Sequence, residues 1–115
     1  MKMTYQYGVD SEKIVIDDYI KRGFEILEHR YKTKYGEIDI VAKSHNTLVF
    51  IEVKARTNPT HEEFVTRKQV KRCCDAGLDF LANHEECYNM DIRFDLAVVV
   101  NGSIYQILEN AWSCE

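Results

Sequence analysis

Asp39, Glu52 and Lys54 are the residues of this 115-residue chain whose types and spacing could do chemistry. Twelve residues separate the aspartate from the glutamate, and the lysine stands two positions after the glutamate, giving D-x12-E-V-K. Two carboxylates side by side repel, and each raises the other's pKa until a cation relieves them. A hard divalent cation such as Mg²⁺ or Mn²⁺ does so with oxygen ligands, keeping waters and a phosphate oxygen in its shell. Such an ion acidifies bound water and stabilises charge that builds on phosphorus oxygens. An ammonium beside it can orient the attacking water or act as a point charge. The combination suits metal-assisted hydrolysis of a phosphodiester. The plain alternative is an exposed strand face with a cross-strand ion pair from Asp39 to Lys54 or Arg56.

The elements that must position these groups follow from periodicity. Residues 37–43, EIDIVAK, alternate with Asp39 on one face and Ile38 and Ile40 on the other. Ser44–Thr47 suits a tight turn, with Asn46 able to take positive φ. The next strand, LVFIEVKAR, opens apolar on both faces like a central strand, then places Glu52, Lys54 and Arg56 on one face. Charged groups emerging from such a strand are poorly explained as solvent decoration.

Around this pair, Asp10 or Ser11 can cap a first helix that runs to about Arg22, with Gly23 as its terminating glycine. Glu12, Ile16, Tyr19, Ile20 and Gly23 fall on one face of it. Residues 24–31 suit a first strand. Thr60 to Glu63 reads as a capping box opening a helix over about 61–84, whose first turn or two can be irregular, with Val70, Cys73, Cys74, Gly77 and Leu81 as its apolar stripe. Residues 92–100 form a fourth strand, Asn101-Gly102 a hairpin turn, and SIYQIL a fifth strand. The order is α-β-β-β-α-β-β in a single domain over 1–115, with no repeat or linker.

Composition excludes several classes. The chain is 45% hydrophobic with one proline and five glycines, which is neither disordered nor fibrous. Its longest apolar run, Leu96–Val100, is far too short to span a membrane, and its first residues lack the apolar segment of a secretory leader. The four cysteines show no zinc-ligand spacing, so reduced thiols in a cytoplasmic protein are expected. The net charge is −4, but residues 21–34 and 52–72 are net basic while 73–115 is strongly acidic. Charge alone does not decide for or against a nucleic-acid partner.

D-x12-E-V-K resembles the PD-(D/E)xK nuclease motif, and the whole chain resembles the YraN family of small restriction-endonuclease-like proteins, similar in turn to archaeal Holliday-junction resolvases. The resemblance is carried in order by G23-F-E-I-L, G36-E-I-D-I-V-A, L48-V-F-I-E-V-K-A-R, V65-T-R-K-Q, R93-F-D-L and N110-A-W, from about residue 8 to 112. It implies a restriction-endonuclease-like α/β core with a mixed central sheet flanked by helices. It implies that Asp39 and Glu52 hold Mg²⁺ or Mn²⁺ and that Lys54 assists the water. Glu12, eleven residues before Gly23, is carried over as a further catalytic and metal-binding acid; a first-turn acid favoured by the helix dipole is the alternative. Ser11 and Val15 replace the glycine and alanine usual in the family, and the connection from Arg56 to Val65 is shorter and lacks a glycine.

Nucleic-acid contacts are expected from Arg67, Lys68, Lys71 and Arg72, a basic helical segment able to meet phosphates, and from Arg56. Gln69 is a candidate for reaching the site or the scissile phosphate, with an exposed helix residue as the equal alternative. Glu37 shares the face of Asp39, as a supporting acid or as polar filler. Arg93 and Asp95 read as a structural pair, and Trp112 as a cover for one end of the core. The resulting expectation is an Mg²⁺- or Mn²⁺-dependent endonuclease on DNA, structured or branched by the resemblance, as monomer or homodimer, with no membrane and no small-molecule cofactor. Its rivals are a non-catalytic nucleic-acid-binding adaptor in repair or recombination on the same scaffold, and an interaction protein using its acidic half.

Overall fold

A computed structural model describes residues 5–57 and 65–114. Its elements follow the expected order: α1 Tyr5–Lys21, β1 Glu25–Lys32, β2 Glu37–Ser44, β3 Thr47–Arg56, α2 Arg67–Ala82, β4 Asp91–Val100 and β5 Ser103–Leu108, with a 3-10 turn at Glu85–Cys87. The five strands form one mixed sheet in the order β1-β2-β3-β4-β5. Only β3 and β4 are parallel, and a parallel pair needs a crossover, which contains α2.

The helices cover opposite faces. Val15 and Tyr19 of α1 pack with Ile40, Ala42, Val49, Ile51, Ala97 and Val99. Cys73, Cys74, Ala76 and Phe80 of α2 pack with Ile38, Val41, Leu48, Phe50 and Phe94. Gly77 lets α2 lie close to the sheet, since a Cβ there would stand 3.2 Å from the rings of Phe50 and Phe94. Trp112 packs on this second core beside Phe94, in the covering role expected.

Several boundaries differ from the sequence expectation. The helix α1 starts before Asp10, so neither Asp10 nor Ser11 caps it; Ser11 is instead buried within it. Its buried side runs through Ser11, Val15 and Tyr19, and Ile20, about 100° further round, is 53% exposed. Its end is as expected: Gly23 has φ +93, and the Gly23 and Phe24 N–H groups return to Ile20 and Tyr19 carbonyls. In the turn before β3 the positive φ falls on His45, not Asn46. The helix α2 opens at Arg67, not 61, because Thr66 and Gln69 supply a capping box. The box expected at Thr60 to Glu63 lies outside the described residues.

The cysteine expectation is corrected. Cys74 on α2 is bonded to Cys114, 40 residues on, while Cys73 and Cys87 are free and buried. The missing information was the path of the tail: after β5 it returns to α2, held by the Ala111 N–H on the Phe94 carbonyl. Closing a loop of this length restrains the unfolded chain. Cys114→Ser should therefore unfold about 2–4 kcal/mol more easily than the oxidised protein. Denaturant titration with and without reductant checks this, and reductant should bring the wild type to the variant's value.

Candidate active site

The three residues of D-x12-E-V-K meet at one place. Glu52 and Lys54 share the face of β3 that carries Phe50, the face covered by α2. The Lys54 Nζ lies 3.7 Å from Glu52 Oε2, and both side chains are largely buried. The paired residues of β2 and β3 run from Ser44–Thr47 as far as Ile40–Ile51. One step further would set Asp39 opposite Glu52. There the Asp39 side chain replaces the ladder, its Oδ2 accepting the Val53 N–H at 2.8 Å. Strand alternation also breaks here, since Ile38 joins the α2-side core while Ile40 joins the α1-side core.

The electrostatics are those of a crowded acid pair that one lysine only partly offsets. Both carboxyls are pushed above the ordinary carboxylate range. For Asp39 burial is the largest cause; the charges of Glu12 and Glu37 add to it, while the Val53 N–H and Lys54 oppose. For Glu52 burial leads again and the Asp39 charge follows, with Lys54 opposing. A carboxyl raised on folding binds more protons folded than unfolded, so its stabilising effect is full below about pH 4 and is lost as pH rises through the raised values. We expect the metal-free protein to melt lower at pH 8 than at pH 6. Glu52→Gln should be more stable than wild type at pH 8, by about 2 kcal/mol, with a flatter pH dependence. Melting curves that are indifferent to pH and to this substitution would contradict a repelling buried pair.

Glu12, expected as a further catalytic and metal-binding acid, is buried on the α1 side and ion-paired. Arg30 Nε and Nη2 donate to its two oxygens at 2.9 and 3.2 Å, and His29 Nε2 lies 2.7 Å from Oε1. Consecutive residues of a regular strand point to opposite faces; here Arg30 has φ +59, which turns both side chains toward the same acid. Glu12 acts on Asp39 through its charge. Among the described residues no three His, Cys, Asp or Glu side chains form a ready metal-holding group. The donor set is the Asp39–Glu52 pair. That fits Mg²⁺, which is commonly held by one or two carboxylates with water and phosphate completing the shell.

The remaining expected residues are spread around this centre. Arg67, Lys68, Lys71 and Arg72 are exposed on the first turns of α2, Lys71 pairing with Asp75 at 3.1 Å. Gln69 is occupied, its Oε1 accepting the Thr66 N–H at 2.9 Å, so the capping role prevails over reach to the site. Arg56 Nη1 donates to the Ala55 carbonyl. Glu37 is exposed at the start of β2. Sequence reasoning missed Cys73, whose thiol is pushed up by burial and then by the charges of Glu52 and Asp39. Its place on the apolar stripe of α2, one turn after Gln69, was the available signal. It also missed His29 and Arg30, which no glycine or other turn residue marks. A cleft of about 900 Å³ lies elsewhere, between α2 and the tail about Trp112, and none of the three central residues lines it.

The chain has relatives over most of its length. The model of "Uncharacterised protein family UPF0102" matches residues 11–99. A UPF0102 protein of Bradyrhizobium diazoefficiens is 36% identical over 102 residues, 88% of this chain and 77% of the relative. A UPF0102 protein of Nitrobacter winogradskyi is 38% identical over 97 residues, 84% of this chain and 82% of the relative. One from a Sulfurihydrogenibium strain is 36% identical over 96 residues, 81% and 82% of the two chains.

Proposed function

The chain belongs to the UPF0102 (YraN) family, and from its site we propose that it is a metal-dependent endonuclease hydrolysing DNA phosphodiester bonds. The observation that carries this reading is the buried Asp39–Glu52 pair with Lys54 beside it, both acids raised by burial and both opposed by the lysine charge. Two like charges held together largely out of water cost stability, and their placement next to an ammonium favours a cation-binding role over surface decoration.

Asp39 and Glu52 would hold Mg²⁺ or Mn²⁺. When bound, the ion supplies a Lewis acid for a phosphate oxygen and an acidified water. The Val53 N–H fixes the Asp39 carboxylate, leaving Oδ1 outside that bond. Lys54 supplies a fixed positive charge where negative charge builds on the phosphate, in a site that is mostly out of water and so weakly screened. Glu12, whose charge acts on Asp39, is paired with Arg30. The exposed cations Arg67, Lys68 and Arg72 would meet neighbouring phosphates without reading sequence. Structured or branched DNA is the substrate class proposed.

The test is incubation with duplex, single-stranded, flap and four-way DNA in Mg²⁺ or Mn²⁺, with calorimetric titration of Mn²⁺ alone. Cleavage that requires the cation, and Mn²⁺ binding lost in Asp39→Ala, would support the reading. Absence of cleavage on every substrate with DNA binding retained would leave the binding-module alternative in its place.

A further inference from the structure

The turn joining β1 to β2, Thr33–Gly36, is built more firmly than its length requires. The Thr33 N–H and hydroxyl both donate to the Gly36 carbonyl at 2.9 Å. The same hydroxyl oxygen accepts the N–H groups of Tyr35 and Gly36 at 3.0 and 3.1 Å. The turn is also pressed against α2, since a Cβ on Gly36 would stand 2.7 Å from the Arg72 carbonyl oxygen. From this fixed base Tyr35 projects with half its surface exposed, and the Lys34 ammonium lies 5.2 Å from its ring centre.

The turn lies on the same side of the molecule as the acid pair. It touches α2 at Arg72, and the next residue, Cys73, is the one whose thiol feels Glu52 and Asp39. Along the chain, Asp39 is three residues beyond Gly36, a span of roughly 10 Å. Exposed cations flank the turn: Lys32 and Lys34 along the chain and Arg72 where it meets α2, with Lys68 one helical turn before Arg72, against the exposed acid Glu37. A held aromatic ring among cations is the arrangement that takes a base on its face and the adjoining phosphates at its sides. In duplex DNA the base faces are already stacked, so only an unpaired base can use it.

We propose that Tyr35 is a stacking platform for an unpaired base of DNA next to the Asp39–Glu52 pair, with Lys34, Lys68 and Arg72 holding the flanking phosphates. This rests on the endonuclease reading for its position in a reaction, and it makes a single-stranded segment beside the cleaved bond the preferred substrate.

Binding is measured by fluorescence anisotropy with single-stranded and duplex oligonucleotides, without divalent cation so that nothing is cut. A 2-aminopurine in the single strand reports stacking directly. Tyr35→Ala should weaken single-strand binding roughly tenfold or more and relieve the quenching of 2-aminopurine, while Tyr35→Trp keeps both. Duplex binding should change less than about twofold. Tyr105→Ala, which removes an equally exposed ring on the opposite edge strand, should have no effect. Wild-type protein that does not bind single strands, Tyr35→Ala that binds them unchanged, or equal losses on single and double strands would each overturn the proposal. If the stacking result holds but no DNA is cut, the endonuclease reading fails alone. If cleavage depends on Asp39 but Tyr35→Ala is silent in binding, the platform fails alone.

Discussion

Asp39→Ala is expected to lower cation-dependent DNA cleavage by a factor of about 10²–10³ while leaving the protein folded. The aspartate is tied into β3 by the Val53 N–H and otherwise faces Glu52, so its removal relieves a repulsion and opens one backbone donor. Glu52→Ala should fall as far, and Lys54→Ala should cost a comparable factor by removing the positive charge beside the phosphate. The three changes should not multiply, because groups that act as a unit lose most of their effect when the first is removed. Single-turnover cleavage with saturating protein separates this from weakened DNA binding. Melting curves at the assay pH separate it from unfolding, and Asp39→Ala should melt no lower than wild type there. Cleavage that persists in all three variants would exclude this site as its source.

The parts of this arrangement that were legible in the sequence are those that local rules control. Alternation in EIDIVAK and LVFIEVKAR, joined by a short turn, makes β2 and β3 neighbours, and a spacing of two puts Glu52 and Lys54 on one face. The same register continued one step sets Asp39 opposite Glu52; what the pattern does not show is that the Asp39 side chain takes the Val53 N–H there. The neighbourhood of Glu12 was illegible for a similar reason. Its partners His29 and Arg30 are consecutive, and only a left-handed residue at Arg30 lets both reach it. A non-glycine residue there costs about 1–2 kcal/mol, and nothing in HRY announces it. The start of α2 was misplaced because two threonines precede suitable acceptors, Thr60 with Glu63 and Thr66 with Gln69, and a capping box at Thr66 is formed. The disulfide depended on tertiary return of the tail, which no spacing between Cys74 and Cys114 encodes.

Asp95→Ala is expected to be the most destabilising single change, by about 3–5 kcal/mol, measured by denaturant unfolding. Asp95 is wholly buried, and each of its oxygens accepts two hydrogen bonds. Oδ1 takes the Arg93 Nε and the Asn110 N–H at 2.9 Å, and Oδ2 takes the Tyr19 hydroxyl at 2.7 Å and Arg93 Nη2 at 2.9 Å. One carboxylate therefore joins α1, β4 and the tail. Its loss leaves a buried phenol and a backbone donor without their acceptor, and leaves the Arg93 guanidinium paired with Glu109 alone among the described residues, at 3.7 Å. In the wild type the Tyr19 hydroxyl is held above its ordinary pKa, first by burial and then by Asp95. Asp95→Asn should recover little, because its amide group presents a donor where donors already converge. Catalysis should respond differently from stability. The strand β4 pairs with β3 at every residue from Thr47 to Arg56, which includes Glu52 and Lys54, but Asp95 stands on the α1 side, away from the acid pair. Cleavage per folded molecule, assayed well below the variant's melting temperature, should thus stay within about threefold of wild type, since distant sites without shared partners act independently. A loss of activity as large as that of Asp39→Ala, in protein shown to be folded, would mean that the buried network also sets the geometry of the acids.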